Sequence, residues 1–288
     1  MEHIRKAVER AKGFGAADTL PQEQTGVPAQ QQQFRPAADI TGSAQPWGQE
    51  VVLSAAQLES NRIISYDVTD QRSKSFDMLR TQVLQSMSMK SWQVLGITSA
   101  TAGCGKSTIA ANLALSISRQ PGRSVLLIDM DLQKPQIAKS LGLRCEQGLL
   151  SVLKGKSRLP SAMIQACINN QKFLVLPCEA STLNSSEWMS SRSMAAVMQE
   201  IKRDYRAWTV ILDLPPMLIG DDVISILSQI DCILFVAAAG ASTVQEIKEC
   251  TKHLESTSLV RVVLNKSVDI TSYYYSRYGN YAASDMKT

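Results

Sequence analysis

An apolar stretch, Val94-Leu95-Gly96-Ile97-Thr98, runs into Ser99-Ala100-Thr101-Ala102-Gly103-Cys104-Gly105-Lys106-Ser107-Thr108, and a helical pattern opens near Ser107. A strand, a loop of small residues and a helix in this order make a phosphate cradle. Backbone N–H groups can curl around the anion, and the helix N-terminus adds partial positive charge. The spacing predicts that Ala102, Gly103, Cys104, Gly105, Lys106, Ser107 and Thr108 hold a nucleotide. Lys106 would neutralise the β- and γ-phosphates, and the Ser107 hydroxyl would ligate Mg²⁺. ATP and Mg²⁺ are therefore the expected ligands. Ala100 stands where the GxxxxGK[ST] pattern has its first glycine, a change that costs little if the position needs no positive φ. The competing reading is an ordinary glycine turn after a strand, and the intact Gly-Lys-Ser-Thr weighs against it.

Downstream the chain alternates. Strands are expected over 125–128, 173–176, 210–212, 233–236 and 260–264, with helices over 107–119, 191–202, 221–228 and 243–255. Such alternation predicts an α/β domain with a doubly wound, mostly parallel sheet, the P-loop NTPase fold. A helix over 73–87 and a short extended segment over 62–66 precede it. Residues 13–60 carry four prolines and the Gln30–Gln33 tract, and are expected to be a mobile linker behind a short helix at 2–12. The expected organisation is thus 1–60 as a disordered arm, 61–268 as the nucleotide domain and 269–288 as a tyrosine-rich tail.

Two acidic motifs follow the phosphate loop. Val125-Leu126-Leu127-Ile128 ends in Asp129-Met130-Asp131, and Val210-Ile211-Leu212 ends in Asp213-Leu214-Pro215-Pro216. Carboxylates at the carboxyl ends of parallel strands reach the crevice where nucleotides bind. Of Asp129 and Asp131, one could organise the Mg²⁺ shell while the other accepts a proton; an N-cap pair is the structural alternative. Asp213 would lie near Mg²⁺ through water. Asn265, ending the last strand, is expected either to contact the adenine or to cap a turn.

Composition narrows the field. Net charge is +4 over 288 residues with no dense Lys/Arg block, which argues against nucleic acid as a partner. No apolar run is long enough for a membrane span, and the opening Met-Glu-His-Ile-Arg-Lys has no signal-like core. Six cysteines without a CxxC pair suggest reduced thiols of a cytoplasmic protein. Of seven tyrosines, five (Tyr273, Tyr274, Tyr275, Tyr278 and Tyr281) crowd the last residues at neither strand nor helix period.

The phosphate loop, Asp129-x-Asp131 and Asp213-x-Pro-Pro, in that order, resemble the bacterial tyrosine kinases of exopolysaccharide and capsule synthesis, in particular their soluble cytoplasmic branch. Leu79-Arg80-Thr81, Asn184-Ser185-Ser186-Glu187 and Val263-Leu264-Asn265 extend the likeness. The resemblance implies ATP·Mg on Lys106 and Ser107, catalytic and metal-organising roles for Asp129 and Asp131, and a metal site completed by Asp213. It also implies autophosphorylation of the tail tyrosines, a membrane-embedded chain-length or export activator acting in trans, a tyrosine phosphatase, homo-oligomers, and recruitment to the inner face of the cell membrane. Several positions depart from the family. Lys74, Asp77 and Arg80 stand for Glu-x-x-Arg-x-x-Arg of its ring-forming helix, Gln133 and Lys134 for two arginines, and Ser185 for a proline. A partitioning-type ATPase and a nucleotide-binding scaffold of a polysaccharide-export complex are the rival readings. Thr101, where the former carries a second lysine, and the tyrosine tail favour the kinase.

Overall fold

The computed structural model describes residues 47–254 and 257–267, all within the second, Pro36–Thr288, of the chain's two units. Its strands are β1 (Gln49–Val52), β2 (Val94–Thr98), β3 (Val125–Asp129), β4 (Ile164–Ile168), β5 (Gln171–Leu176), β6 (Thr209–Asp213), β7 (Cys232–Ala238) and β8 (Ser258–Asn265). The helices are α1 (Ala55–Ser60), α2 (Lys74–Lys90), α3 (Lys106–Ser118), α4 (Ile137–Leu141), α5 (Leu149–Leu153), α6 (Leu159–Ala162), α7 (Ser185–Met189), α8 (Arg192–Asp204), α9 (Asp222–Ile226) and α10 (Val244–His253). One sheet runs β1-β4-β5-β3-β6-β2-β7-β8. Every pairing is parallel except β4 with β5.

Burial explains the sheet. Strands β2, β3 and β6 are buried at every residue, as expected when helices cover both faces. Alternate side chains enter opposite cores. Leu126 and Ile128 join Leu212 and the α8 residues Met194, Val197 and Met198, whereas Val125 and Leu127 join Ile211 and the α3 residues Ile109, Leu113 and Ile117. The doubly wound, mostly parallel P-loop fold is therefore present.

The amino-terminal boundary needs correction. Residues 49–60, placed in a linker by their neighbours' composition, form β1 and α1. Strand β1 pairs in register with β4, and Trp47 just before it meets the rings of Tyr205 and Trp208 at 5.9 and 6.0 Å. The expected helix at 2–12, the Gln30–Gln33 tract and the tail tyrosines lie outside the described residues. The extended segment over 62–66 is not a strand; it is a coil held by α3. Asn112 Oδ1 accepts from the Ile64 and Ser65 N–H groups at 2.9 and 3.0 Å, and its Nδ2 donates to the Arg62 carbonyl at 3.0 Å.

The ring-helix departures lie on α2, which packs against α3. On α2, Asp77 Oδ1 accepts from Arg80 at 3.1 Å and from the Ser116 hydroxyl at 2.7 Å, and it is also bonded by Arg119. Burial opposes ionisation of Asp77, but Ser116 and the two arginines outweigh it and hold the carboxyl below its ordinary range. The reversed charge at Asp77 thus serves α2–α3 packing inside the chain.

Replacing Asn112 by Ala would leave two buried N–H groups and a carbonyl without partners. Such groups cost about 1–3 kcal/mol each, so urea denaturation should show a loss of about 2–4 kcal/mol. A shift under about 0.5 kcal/mol, the ordinary surface range, would contradict the role given to Asn112.

Candidate active site

Strands β3, β6 and β2 are consecutive in the sheet and parallel, so the loops leaving their carboxyl ends converge. The loop after β2 begins with Ala100, fully buried and absent from the left-handed backbone positions. An alanine is therefore tolerated where the pattern has glycine. Its carbonyl accepts from Leu218 N–H at 3.1 Å and that of Ser99 from Met217 N–H at 2.9 Å, joining the loop to the segment after β6. Gly103 and Gly105 do take positive φ, at 79° and 93°, where a side chain would be disfavoured. At Gly105 a Cβ would also lie 2.2 Å from Asn265 Nδ2.

Asn265 is tied to the phosphate loop. Its Nδ2 donates to the Cys104 carbonyl at 2.8 Å, bracing the loop from the end of β8. Cys104 itself is buried, with Sγ 3.5 Å from Ser242 Oγ. Burial pushes its thiol up, but hydrogen bonds with Ser242, Thr101 and Ser99 prevail and lower it.

A cleft of about 360 Å³ opens over the loop, lined among others by Lys106, Ser107, Thr108, Asp131 and Asp222. Lys106 is only 7% exposed, so its charge acts where water screens little. The two residues of Asp129-x-Asp131 part company here. Asp129 is fully buried; its Oδ2 accepts from Gln136 and Ile137 N–H, both at 2.9 Å, and its Oδ1 from Asp131 N–H at 3.3 Å. These bonds tie Asp129 to the start of α4 and to the loop it shapes. Asp131 lines the cleft, with Oδ1 accepting from Lys134 N–H at 3.0 Å. Burial raises its carboxyl, against the pull of Lys134 N–H and Lys106.

Asp213 is in register with Asp129 on the neighbouring strand. It is fully buried, and among the described residues neither oxygen has a donor in hydrogen-bonding geometry. Burial pushes its carboxyl up to about 7, although Lys106 and the nearby Ser107 hydroxyl favour the ionised form. Beside it Asp129 is raised as well, by burial and then by the Asp213 charge. An orphaned buried carboxylate next to a lysine and a serine hydroxyl is what a partly hydrated Mg²⁺ needs. No group of three or more His, Cys, Asp or Glu residues is placed to hold a metal among the described residues. A Mg²⁺ ion that takes its other ligands from phosphate and water needs none. The residues fit that ion.

Gln133 and Asp222, which line the cleft, and Ser185, bonded to Gln133, were not picked out as site residues from the sequence. Gln133 Nε2 donates to Ser185 Oγ at 2.9 Å and to Asp222 Oδ2 at 3.1 Å. The departures at 133 and 185 therefore touch each other. The Asp221-Asp222 pair opening an expected helix was the one available signal for Asp222. Tyr205 is buried among aromatic rings, which pushes its phenol up to about 12.

The raised carboxyl at Asp213 fixes the sign of a pH effect. Between its ordinary 3.8 and about 7, the folded chain binds a proton that the unfolded chain releases, so stability from this group falls as pH rises through that window. Asp213→Asn should make the nucleotide-free protein more stable than the parent above the window, by a few kcal/mol at most, since one unit is about 1.4 kcal/mol. The advantage should vanish toward its lower end, and stabilisation by Mg·ATP should be lost. Denaturant melts across the window, with and without Mg·ATP, test this; equal stability at both ends would contradict it.

Residues 90–269 match the ParA family, described as NUBPL iron-transfer P-loop NTPase. The tyrosine-protein kinase YwqD of Bacillus subtilis is 31% identical over 234 residues, covering 80% of this chain and 94% of that protein. EpsB of Ralstonia nicotianae is 29% identical over 212 residues, but this 72% of the chain spans only 28% of EpsB. The solved kinase domain of the Escherichia coli tyrosine kinase ETK superposes with a TM-score of 0.65 at 25% identity, covering 77% of this chain and 90% of that one. With loop, acidic strand ends and relatives in agreement, the chain belongs to the bacterial tyrosine-protein kinases built on the ParA-type P-loop NTPase domain.

Proposed function

We propose that the chain is an ATP-dependent protein-tyrosine autokinase that modifies Tyr273, Tyr274, Tyr275, Tyr278 and Tyr281 of its own tail and regulates exopolysaccharide synthesis or export. The observation that carries this reading is a cleft in which Lys106, Ser107 and Asp131 converge over the orphaned Asp213. In it the loop N–H groups and Lys106 hold the triphosphate, and the Ser107 hydroxyl and Asp213 are the residues that would hold Mg²⁺. When bound, that ion neutralises charge on the β- and γ-phosphates. Asp131 accepts the phenolic proton as the γ-phosphoryl group moves to the tyrosine oxygen and ADP leaves. Asp129 keeps Asp131 in place through the loop it caps. Positioning and charge stabilisation supply most of the rate.

Tail geometry supports the acceptor choice. Asn265 ends β8 while bonded to the phosphate loop, so the described chain leaves the sheet beside that loop. About eight residues separate it from Tyr273, and an extended chain covers roughly 3.3–3.6 Å per residue. The first tyrosine can thus sweep roughly 26–29 Å, enough for a neighbouring cleft.

The partners follow from the relatives' context. From the family resemblance we infer a membrane-embedded polysaccharide activator acting in trans, with a tyrosine phosphatase to reverse the modification; no helix of the described residues is long and apolar enough to cross a membrane.

Incubation with radiolabelled Mg·ATP tests this reading. Lys106→Met should lose most ATP affinity and all incorporation of label. Replacing the five tail tyrosines by Phe should retain nucleotide binding and abolish phosphotyrosine. Undiminished phosphotyrosine in that variant would refute the tail and point to the half-buried Tyr66, since Tyr205 is buried.

A further inference from the structure

The cleft over the phosphate loop is lined mostly by charged, hydroxyl and amide side chains, yet the segment after β6 gives it Pro215, Pro216 and Ile219. The two prolines are buried, whereas Ile219 is 56% exposed. Its neighbours hold it there. Met217, which is buried, donates its N–H to the Ser99 carbonyl at 2.9 Å, and Leu218 donates to the Ala100 carbonyl at 3.1 Å. Three residues beyond Ile219, Asp222 is buried again and accepts from Gln133 Nε2 at 3.1 Å. Residues 218–221 thus form an exposed rim pinned at both ends, at one of them to the phosphate loop itself. Ile219 belongs to neither hydrophobic core. A large apolar side chain held in water on the lining of a polar cleft is surface that a ligand gains by covering.

The chemistry of that ligand follows from what shares the cavity. Asp131 lines the same cleft, and in the kinase reading it takes the proton of the acceptor. A ligand that uses both features needs a hydroxyl for Asp131 and an apolar body for Ile219 and the prolines. Tyrosine carries the two on one side chain. The sequence after β8 poses a choice between hydroxyls, because its five tyrosines stand among Thr271, Ser272, Ser276, Ser284 and Thr288. Asn265 ends β8 bonded to the phosphate loop, so that stretch departs from beside the cleft. We propose that Ile219, with Pro215 and Pro216, seats the phenol ring of the acceptor, and that this seat makes the cleft take the tail tyrosines in preference to the serines and threonines beside them. The ring packs on Ile219 while its O–H reaches Asp131. A serine or threonine has no ring to lay there and gains nothing from that wall. Ile219 is a specificity residue, contributing to acceptor binding and taking no part in the bonds made and broken. The inference rests on the kinase reading for the identity of the acceptor, and binding alone, without phosphoryl transfer, tests it.

The host for the test is the full-length protein with its five tail tyrosines replaced by Ser, so that its own tail offers no competing ring. Binding of a fluorescein-labelled peptide of residues 268–288 is followed in the presence of Mg²⁺ and a non-hydrolysable ATP analogue. Adding Ile219→Ala should weaken peptide binding by about 3–10-fold, the scale of covering a half-exposed isoleucine. Affinity for the ATP analogue should stay within about twofold, as for an ordinary surface change. Ile219→Leu, of equal volume, should keep peptide binding within about twofold of the host. A peptide whose five tyrosines are replaced by Ser should bind more weakly to the host, and Ile219→Ala should weaken it no further. Equal weakening of both peptides, or of neither, would overturn the proposal, as would a host that binds no peptide. A fall in affinity for the ATP analogue would overturn it too, making Ile219 a nucleotide contact. A smaller particle in light scattering of the Ile219→Ala protein would overturn it by making the rim an interface between copies. Failure of the kinase reading shows separately, as no phosphotyrosine in the unsubstituted protein after Mg·ATP. In that case the coupling of Ile219 to the tyrosine rings still supports the seat.

Discussion

Two carboxylates taken out of water side by side set the terms for this molecule. Asp129 and Asp213 end neighbouring parallel strands in register and are fully buried. Leaving both ionised and unpaired would cost several kcal/mol by desolvation alone. The fold meets this in two ways. Asp129 is given three backbone N–H donors by the loop it shapes. Asp213 is given none in bonding geometry, only the proximity of Lys106 and Ser107. That asymmetry divides the pair into a carboxylate tied to backbone donors and one left without a hydrogen-bond donor among the described residues. The phosphate loop and Asp213 thus form one electrostatic unit, in which Lys106 and Ser107 lie close enough to favour the ionised carboxylate.

Departures from the resembled family become intelligible as contacts. Ala100 replaces glycine at a buried position whose backbone is not left-handed. Gln133 and Ser185 replace an arginine and a proline, and they bond to each other across the cleft wall. Asp77, of reversed sign, holds Arg80 and Arg119 within the chain. At Gln133, Ser185 and Asp77 a change that looks disruptive in a linear motif is matched by a partner far away in sequence.

Much of this was legible from the chain. The central strands read as apolar runs because both their faces are covered, and the loop glycines and both acidic strand ends were visible by spacing. What stayed hidden was non-local. Strand β1 gains its place through β4 and the Trp47 contacts with Tyr205 and Trp208, which Pro- and Gln-rich surroundings mask. The β4–β5 hairpin turns on Asn169 and Asn170, at φ 46° and 62°, a two-residue turn that asparagine tolerates. It was missed because Ile164–Ile168 is a short run with no period of its own. Asp222 was passed over because an aspartate opening a helix is usually a cap; its site character appears only when Gln133 reaches it. Asn265 was placed at the correct edge, but its partner, the Cys104 carbonyl, could not be read from spacing.

Phosphoryl transfer to the tail is the central claim, and intact-mass spectrometry of the purified full-length protein after incubation with Mg·ATP tests it most directly. Stepwise addition of phosphoryl groups is expected, with peptide mapping placing them on several of Tyr273, Tyr274, Tyr275, Tyr278 and Tyr281. A protein that binds and turns over ATP while its tail stays unmodified would contradict the kinase reading and favour a P-loop ATPase.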